Sequence, residues 1–261
     1  MSIFEALILG ILQGLTEFLP VSSSGHLELA NYLFGIEGES NLQFTMAVHL
    51  ATVLSTITVF FREIWKLIKG FFRFKLNEET IYVINIIVSM LPILFVGLFF
   101  RDRIAGLFTS NLLLVGCMLL VTAVLLTFAN YAKPRAGKVT PSKAFLIGIA
   151  QAIAVVPGLS RSGATISTGL LLGIKRSEVA KFSFLMVLIP IIGMNVLDLV
   201  KGDFSSAAIG AWPLIVGFLA AYLTGTLACK AMIKIVNRGK LVWFAVYCAI
   251  VGLAAIGIYV I

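Results

Sequence analysis

The stretch QGLTEFLPVSSSGHLEL, residues 13–29, sets Gln13, Glu17, Ser22, Ser23, Ser24 and His26 in otherwise greasy surroundings. Gln13 and Glu17 are four apart and so share a helix face. Pro20 ends that helix, and Ser22 or Ser23 can cap a new one. Within the new helix Ser23 and His26 are three apart, so their side chains share a face and can reach each other. A hydroxyl beside an imidazole is the pairing of an activated nucleophile with its base. An acid beside them can protonate a leaving oxygen or hold a divalent cation that bridges phosphates. Further along, PGLSRSGAT, residues 157–165, brings a fixed cation, Arg161, among Ser160, Ser162, Gly163 and Thr165. Small residues such as Gly25 and Gly163 admit close backbone approach. Exposed N–H groups at two helix starts, the hydroxyls and the guanidinium together form an anion cradle.

The elements that position these groups must lie in a membrane. The chain has 261 residues, 60% hydrophobic and only 12% charged, with a mean hydropathy of +1.06. Soluble domains carry roughly twice that charged fraction. The net charge of +8 falls in short clusters between apolar runs, the pattern of membrane topology and not of a nucleic-acid footprint. Cys117, Cys229 and Cys248 lie inside apolar runs without metal-ligand spacing and read as small buried hydrophobes. The N-terminal MSIFEALILGILQG has no basic stretch and carries Glu5, so it reads as part of the mature protein and not as a signal peptide.

Six runs are long enough to cross a hydrocarbon core of about 30 Å: residues 41–61, 81–100, 110–131, 179–200, 211–236 and 241–261. Two shorter apolar stretches, 3–20 and 143–157, each break at a proline followed by Ser/Gly-rich sequence, which fits a re-entrant broken helix. Sixteen of the 20 Lys and Arg residues fall in segments 62–80, 132–143, 175–181 and 230–240, which marks these as cytoplasmic. The connections 101–109 and 201–210 and the acidic run 37–40 are then external. Residues 1–40 must enter and leave from outside, and residues 137–178 from inside.

An internal repeat supports this threading. Residues 6–36 lie over residues 144–174 without a gap, at an offset of 138, with ten identities in 31 positions. Gln13/Gln151, Ser22/Ser160, Ser24/Ser162 and Gly25/Gly163 are among them. Each half then holds one re-entrant segment and three spans, residues 1–136 and 137–261, and the odd number inserts the second copy upside down. The fold class is an all-α polytopic membrane protein with an inverted-topology repeat, in which broken helices meet near the midplane. The copies diverge where chemistry would sit: Glu17, Ser23 and His26 in the first stand against Val155, Arg161 and Ala164 in the second.

Each residue taken singly has a duller reading. Serines and glycines in membrane helices serve close packing, a lone histidine satisfies a local hydrogen bond, and a lone arginine snorkels. Their joint occurrence at matched helix breaks is what favours a site. Gln13, Gln151 and the mid-span His49 are read as supporting residues around it. Asn195 and Asp198 read as interfacial, and Glu28 is undecided.

QGLTEFLPVSSSGH together with PGLSRSGAT resembles the undecaprenyl-diphosphatase family, also called the bacitracin-resistance family, over nearly the whole chain. The resemblance implies membrane enzymes that remove one phosphate from a C55 isoprenoid diphosphate, recycling the carrier of bacterial wall synthesis. The cradle itself places Ser22, Ser24, Gly25, Ser160, Ser162, Gly163 and Thr165 on the diphosphate, and the resemblance implies Glu17, Ser23, His26 and Arg161 as catalytic. It implies a divalent cation, magnesium or calcium, with Glu17 as its ligand. Gln13 stands at the first position of the family's (E/Q)xxxE pattern, which weakens any scheme with two carboxylates on a metal. SSSGH is also similar to the PSGH piece of another lipid phosphatase superfamily, but SRSGATIS lacks the second histidine which that superfamily requires.

The expected function is therefore hydrolysis of undecaprenyl diphosphate in the bacterial inner membrane, at a site open to the outer, periplasmic face. Ser23 attacks phosphorus or positions the attacking water, with His26 as base, orienter or itself the nucleophile. The expected partners are that substrate and membrane lipid, with no nucleic acid and with a homo-oligomer allowed. The rival is a polyprenyl-phosphate transporter or flippase, which would share the anion cradle but would not need a Ser/His pair beside a carboxylate.

Overall fold

Apolar runs without β-branched alternation leave helices as the way to satisfy every backbone group in lipid, and helices are what form. The computed structural model describes residues 1–36, 39–100, 103–104, 106–107, 111–133, 135–193 and 209–260, with only the backbone for 39–42. Asn195 and Asp198 lie outside the described residues, as does the start of the acidic run at 37–38. The elements are α1 (Ile3–Phe18), α2 (Ser23–Phe34), α3 (Glu39–Val59), α4 (Phe61–Phe71), α5 (Glu78–Phe99) and α6 (Leu112–Tyr131). They continue with α7 (Pro141–Ile153), α8 (Arg161–Leu171), α9 (Arg176–Met186), α10 (Ala211–Arg238) and α11 (Val242–Val260). The described residues contain no strand, only one parallel bridge between Gly137 and Ile174.

Helices α5, α6, α10 and α11 are long and apolar enough to cross a bilayer. The α3–α4 pair passes the same test together, but it bends by 76° at Phe60. The chain is thus an all-helical, polytopic integral membrane protein. Two expectations change in detail. The basic segment after residue 61, read as a loop, begins with α4, whose Phe61, Trp65 and Ile68 stay exposed on one side while Arg62, Lys66 and Lys69 occupy the other. An amphipathic helix with that division lies in an interface instead of continuing the span. The span at 179–200 is helical to Met186, turns at Val187 and is helical again over 188–193, beyond which it leaves the described residues.

Both short apolar stretches break as expected. α1 begins on a reciprocal cap: Ser2 Oγ accepts from the Glu5 N–H at 3.2 Å and Glu5 Oε2 accepts from the Ser2 N–H at 2.8 Å. That cap accounts for an acid in an apolar N-terminus. With 16 residues, α1 spans only about 24 Å, after which the chain turns into α2. α7 and α8 form a similar hairpin, and its two ends are tied together: the Gly137 N–H donates to the Gly173 carbonyl, and the Lys175 N–H donates to the Gly137 carbonyl. The segment returns to where it began.

Glycines bring long helices against these hairpins. A methyl group at Gly10 would strike the Gly217 carbonyl, so α1 lies directly on α10. Gly148, which aligns with Gly10 at the offset of 138, would likewise strike the Ser89 carbonyl, so α7 lies directly on α5. The largest apolar cluster among the described residues includes Phe18, Phe60, Phe182, Phe184 and Met232.

Candidate active site

The two helix breaks are capped alike. Ser22 Oγ accepts from the Gly25 N–H at 3.2 Å, and Ser160 Oγ accepts from the Gly163 N–H at 3.0 Å. Ser22 and Ser24 hydroxyls lie 3.3 Å apart, as do those of Ser160 and Ser162. The caps settle which serine starts α2: it is Ser22, held at φ 71°, a left-handed conformation that costs a non-glycine residue on the order of 1–3 kcal/mol.

The breaks also touch each other. A methyl on Gly25 would sit 3.0 Å from Gly158 Cα, and Ser162 Oγ donates to the Leu19 carbonyl at 3.2 Å. Gly25 and Gly163 were expected to offer N–H groups to an anion. Those N–H groups are instead spent on the caps, and what the glycines supply is clearance: Gly25 toward Gly158, Gly163 toward Thr122.

At this junction Glu17 gathers the polar side chains. Arg161 Nη2 donates to its Oε1 at 2.9 Å, Ser23 Oγ donates to its Oε2 at 2.6 Å, and Gln13 Nε2 donates to Oε2 at 3.0 Å. His49 Nε2 stands 3.9 Å from the same oxygen, while its Nδ1 bonds the Thr45 carbonyl at 2.8 Å. The Glu17 side chain is 9% exposed and that of Arg161 30%, so the cation is the partner that faces open space. A desolvated carboxylate is tolerable only with such a set of donors.

His26 is not part of that cluster. The expected Ser23–His26 pair does not form, because α2 turns Ser23 toward Glu17 and His26 toward α11. His26 Nδ1 bonds the Ser22 carbonyl at 2.8 Å, and its Nε2 bonds Tyr247 Oη at 2.8 Å, with the two rings stacked 8° from parallel. On the same helix Cys248 Sγ contacts the Pro20 carbonyl at 3.6 Å. A residue read as a small hydrophobe thus sits on a buried carbonyl at the break.

A pocket opens beside the ion pair, lined by Glu17, Arg161, Ser162, Thr165, Ser183 and Thr52 among others. Ser183 Oγ is buried without a hydrogen-bond partner. Thr165 Oγ1 bonds back to the Arg161 carbonyl at 2.9 Å. Ser183, Thr52 and Tyr247 come from α9, α3 and α11 and carry no motif, so nothing in the local sequence marks them. Gln151, the repeat partner of Gln13, is buried with both amide atoms unpartnered and does not line this pocket.

Among the described residues no group of three or more His, Cys, Asp or Glu side chains gathers around a common point. The oxygen donors available to a cation are the Glu17 carboxylate and Gln13 Oε1, which is buried and unpartnered. Magnesium accepts such a set, since it takes one or two protein oxygens and completes its shell with phosphates and water.

Known proteins resemble this chain over almost its whole length. The family described as bacitracin resistance protein BacA matches residues 6–254. A protein of Bacteroides fragilis named undecaprenyl-diphosphatase is 58% identical, with 97% of each chain covered. Its counterparts in Parabacteroides distasonis and Christiangramia forsetii, with the same name, are 58% and 51% identical, with 98% of each chain covered. With a match of that extent spanning both breaks and all the long helices between and after them, the chain belongs to the bacitracin resistance protein BacA family.

Proposed function

We propose that the chain hydrolyses undecaprenyl diphosphate to undecaprenyl phosphate and inorganic phosphate. The observation that carries this is the 2.6 Å hydrogen bond from Ser23 Oγ to Glu17 Oε2, beside a guanidinium on a half-open pocket. A hydroxyl donating to a carboxylate is a nucleophile with its base in place. The relatives' names indicate the substrate.

Arg161 turns from Glu17 to the terminal phosphate, a bidentate anion partner suited to its planar fork. Ser23 Oγ attacks that phosphorus, its proton passes to Glu17, and the bond to the bridging oxygen breaks, releasing the lipid phosphate. Glu17 gives that proton to the departing lipid phosphate, which restores its carboxylate. Water then attacks the phosphoseryl phosphorus, and Glu17 takes the water proton and returns it to Ser23 Oγ as the serine–phosphorus bond breaks and phosphate leaves. The free N–H groups of the first turns of α2 and α8 face developing phosphate charge. A magnesium or calcium ion held by Glu17 and Gln13 Oε1 would supply further charge neutralisation on the diphosphate.

The same proposal includes the architecture. Residues 1–136 and 137–261 form two repeats of opposite orientation in the inner membrane, with the site opening to the periplasmic side. The matched caps at Ser22 and Ser160, and the paired seating of α1 on α10 and α7 on α5, support the repeat. The clustering of 16 of 20 basic residues in four segments supports the orientation. The lipid tail lies among membrane lipids, and a homo-oligomer is compatible with the exposed apolar faces. Nothing favours the transporter alternative, because the carboxylate-bound serine has no use in it.

The test is phosphate release from undecaprenyl diphosphate by purified protein in detergent, with Ser23→Ala and Arg161→Ala alongside. Turnover that both substitutions abolish in folded protein is the expected result. No turnover by folded wild-type protein supplied with magnesium and calcium refutes the phosphatase.

A further inference from the structure

The mechanism above leaves one part of the junction unused: His26, 6% exposed, with both ring nitrogens occupied and an unmarked tyrosine from the last helix lying flat against it. The roles of the two nitrogens follow from what they face. The Ser22 carbonyl can only accept, so Nδ1 carries a proton and donates to it at 2.8 Å. In a neutral ring Nε2 then has only a lone pair, and the Tyr247 hydroxyl donates to it at 2.8 Å. The Ser22 carbonyl thus receives both the backbone N–H and the ring N–H of His26. Ser22 is the residue held at φ 71°, and it immediately precedes the serine that faces Glu17.

We infer that Tyr247 is a positioning residue of the site: its hydroxyl anchors Nε2 of the ring whose Nδ1–H clamps the Ser22 carbonyl, and so holds the helix break from which Ser23 meets Glu17. Tyr247 is 43% exposed on the outer side of the buried imidazole, so it also stands between His26 and the surroundings. Removing only the hydroxyl leaves Nε2 without a donor. The ring is then held at Nδ1 alone and can rotate about its side-chain bonds, carrying its N–H away from the carbonyl. The Ser22 clamp is lost and Ser23 drifts from Glu17. Arg161 and the pocket hydroxyls come from other helices and keep their places.

The experiment uses full-length protein with 15N-labelled histidine rings, wild type against Tyr247→Phe. The chain holds two histidines, and a His49→Gln sample assigns the His26 signals. Wild type is expected to show His26 protonated at Nδ1 and hydrogen-bonded at Nε2. Tyr247→Phe is expected to lose the Nε2 hydrogen-bond signature and to show a shifted, broadened Nδ1–H signal as the bond to Ser22 loosens. In the same protein kcat for undecaprenyl diphosphate falls about tenfold, the scale of one lost hydrogen bond, while KM stays within about twofold because the anion contacts remain. A wild-type ring that is doubly protonated, or protonated at Nε2 alone, overturns the inference, as does a Tyr247→Phe spectrum or kcat equal to wild type. The kinetic arm rests on the phosphatase proposal, whereas the ring spectra do not. Absent wild-type turnover would therefore sink that proposal, with the tautomer still read directly.

Discussion

Replacing Glu17 by glutamine separates the base from every other role in the site. The substitution keeps the size of the side chain and one oxygen, but a carboxylate that accepts from Arg161, Ser23 and Gln13 becomes a group with one acceptor and one donor end. With the oxygen kept on Arg161, the amide nitrogen faces Ser23 Oγ, which must now accept where it had donated. The hydroxyl loses its proton acceptor, and kcat should fall about 10²–10⁴-fold, the range for a positioned general base, or about 3–5 kcal/mol of barrier. The stability loss should be smaller than the roughly 3–5 kcal/mol of a broken, fully buried pair, because the Arg161 side chain is 30% exposed and water can solvate it. Phosphate release under single-turnover conditions, together with thermal unfolding in detergent, measures the two effects apart. His26→Gln is the control. If Glu17→Gln retained more than about a tenth of kcat while His26→Gln lost far more, the base would be His26, and the assignment from the 2.6 Å contact would be wrong.

Gly158→Ala should destabilise the junction, since Gly158 has φ 92° and a methyl group there would lie 2.5 Å from the Val115 carbonyl. Positive φ and overpacking together cost about 2–4 kcal/mol. An unfolding midpoint unchanged from wild type would show that the second break does not press on α6 at Val115. Helix α4 should lie in the headgroup plane: with Trp212 and Trp243 replaced by Phe, fluorescence from Trp65 should be quenched most by spin labels near the lipid headgroup. Stronger quenching from labels at the bilayer centre would make α4 part of a span. Excess chelator should abolish turnover and magnesium or calcium restore it, with Gln13→Leu raising the metal required about tenfold, as losing one oxygen partner does. Full turnover in excess chelator would remove the cation from the mechanism.

What could be read from the chain alone was whatever local chemistry enforces. Apolar length and basic clusters specify membrane helices and their connections, and a proline followed by serines forces a break wherever it sits. The matched Gln, Ser and Gly positions of two such breaks select Glu17, Ser23, His26 and Arg161 from a chain otherwise made for lipid. Even the capping serine was narrowed to two residues, and the Glu5 charge has a purely local partner in Ser2.

Tertiary structure decided which of these groups meet. Ser23 and His26 share a helix face by spacing, yet face alone does not choose between partners on different helices. Glu17 returning from α1 offers Ser23 a charged acceptor at 2.6 Å, and Tyr247 from α11 offers His26 a donor at 2.8 Å. Those choices depend on how α1 and α11 are seated around α2, set by contacts far apart in sequence, such as Gly10 of α1 on Gly217 of α10 and Gly252 of α11 on Gly116 of α6. The bend at Phe60 has the same origin, since no proline or glycine stands near it, whereas the turn at Val187 has a local cause in Pro190, which has no N–H for the Met186 carbonyl. Sequence spacing determined which residues could do chemistry, and helix packing determined which nitrogen and which oxygen face each other.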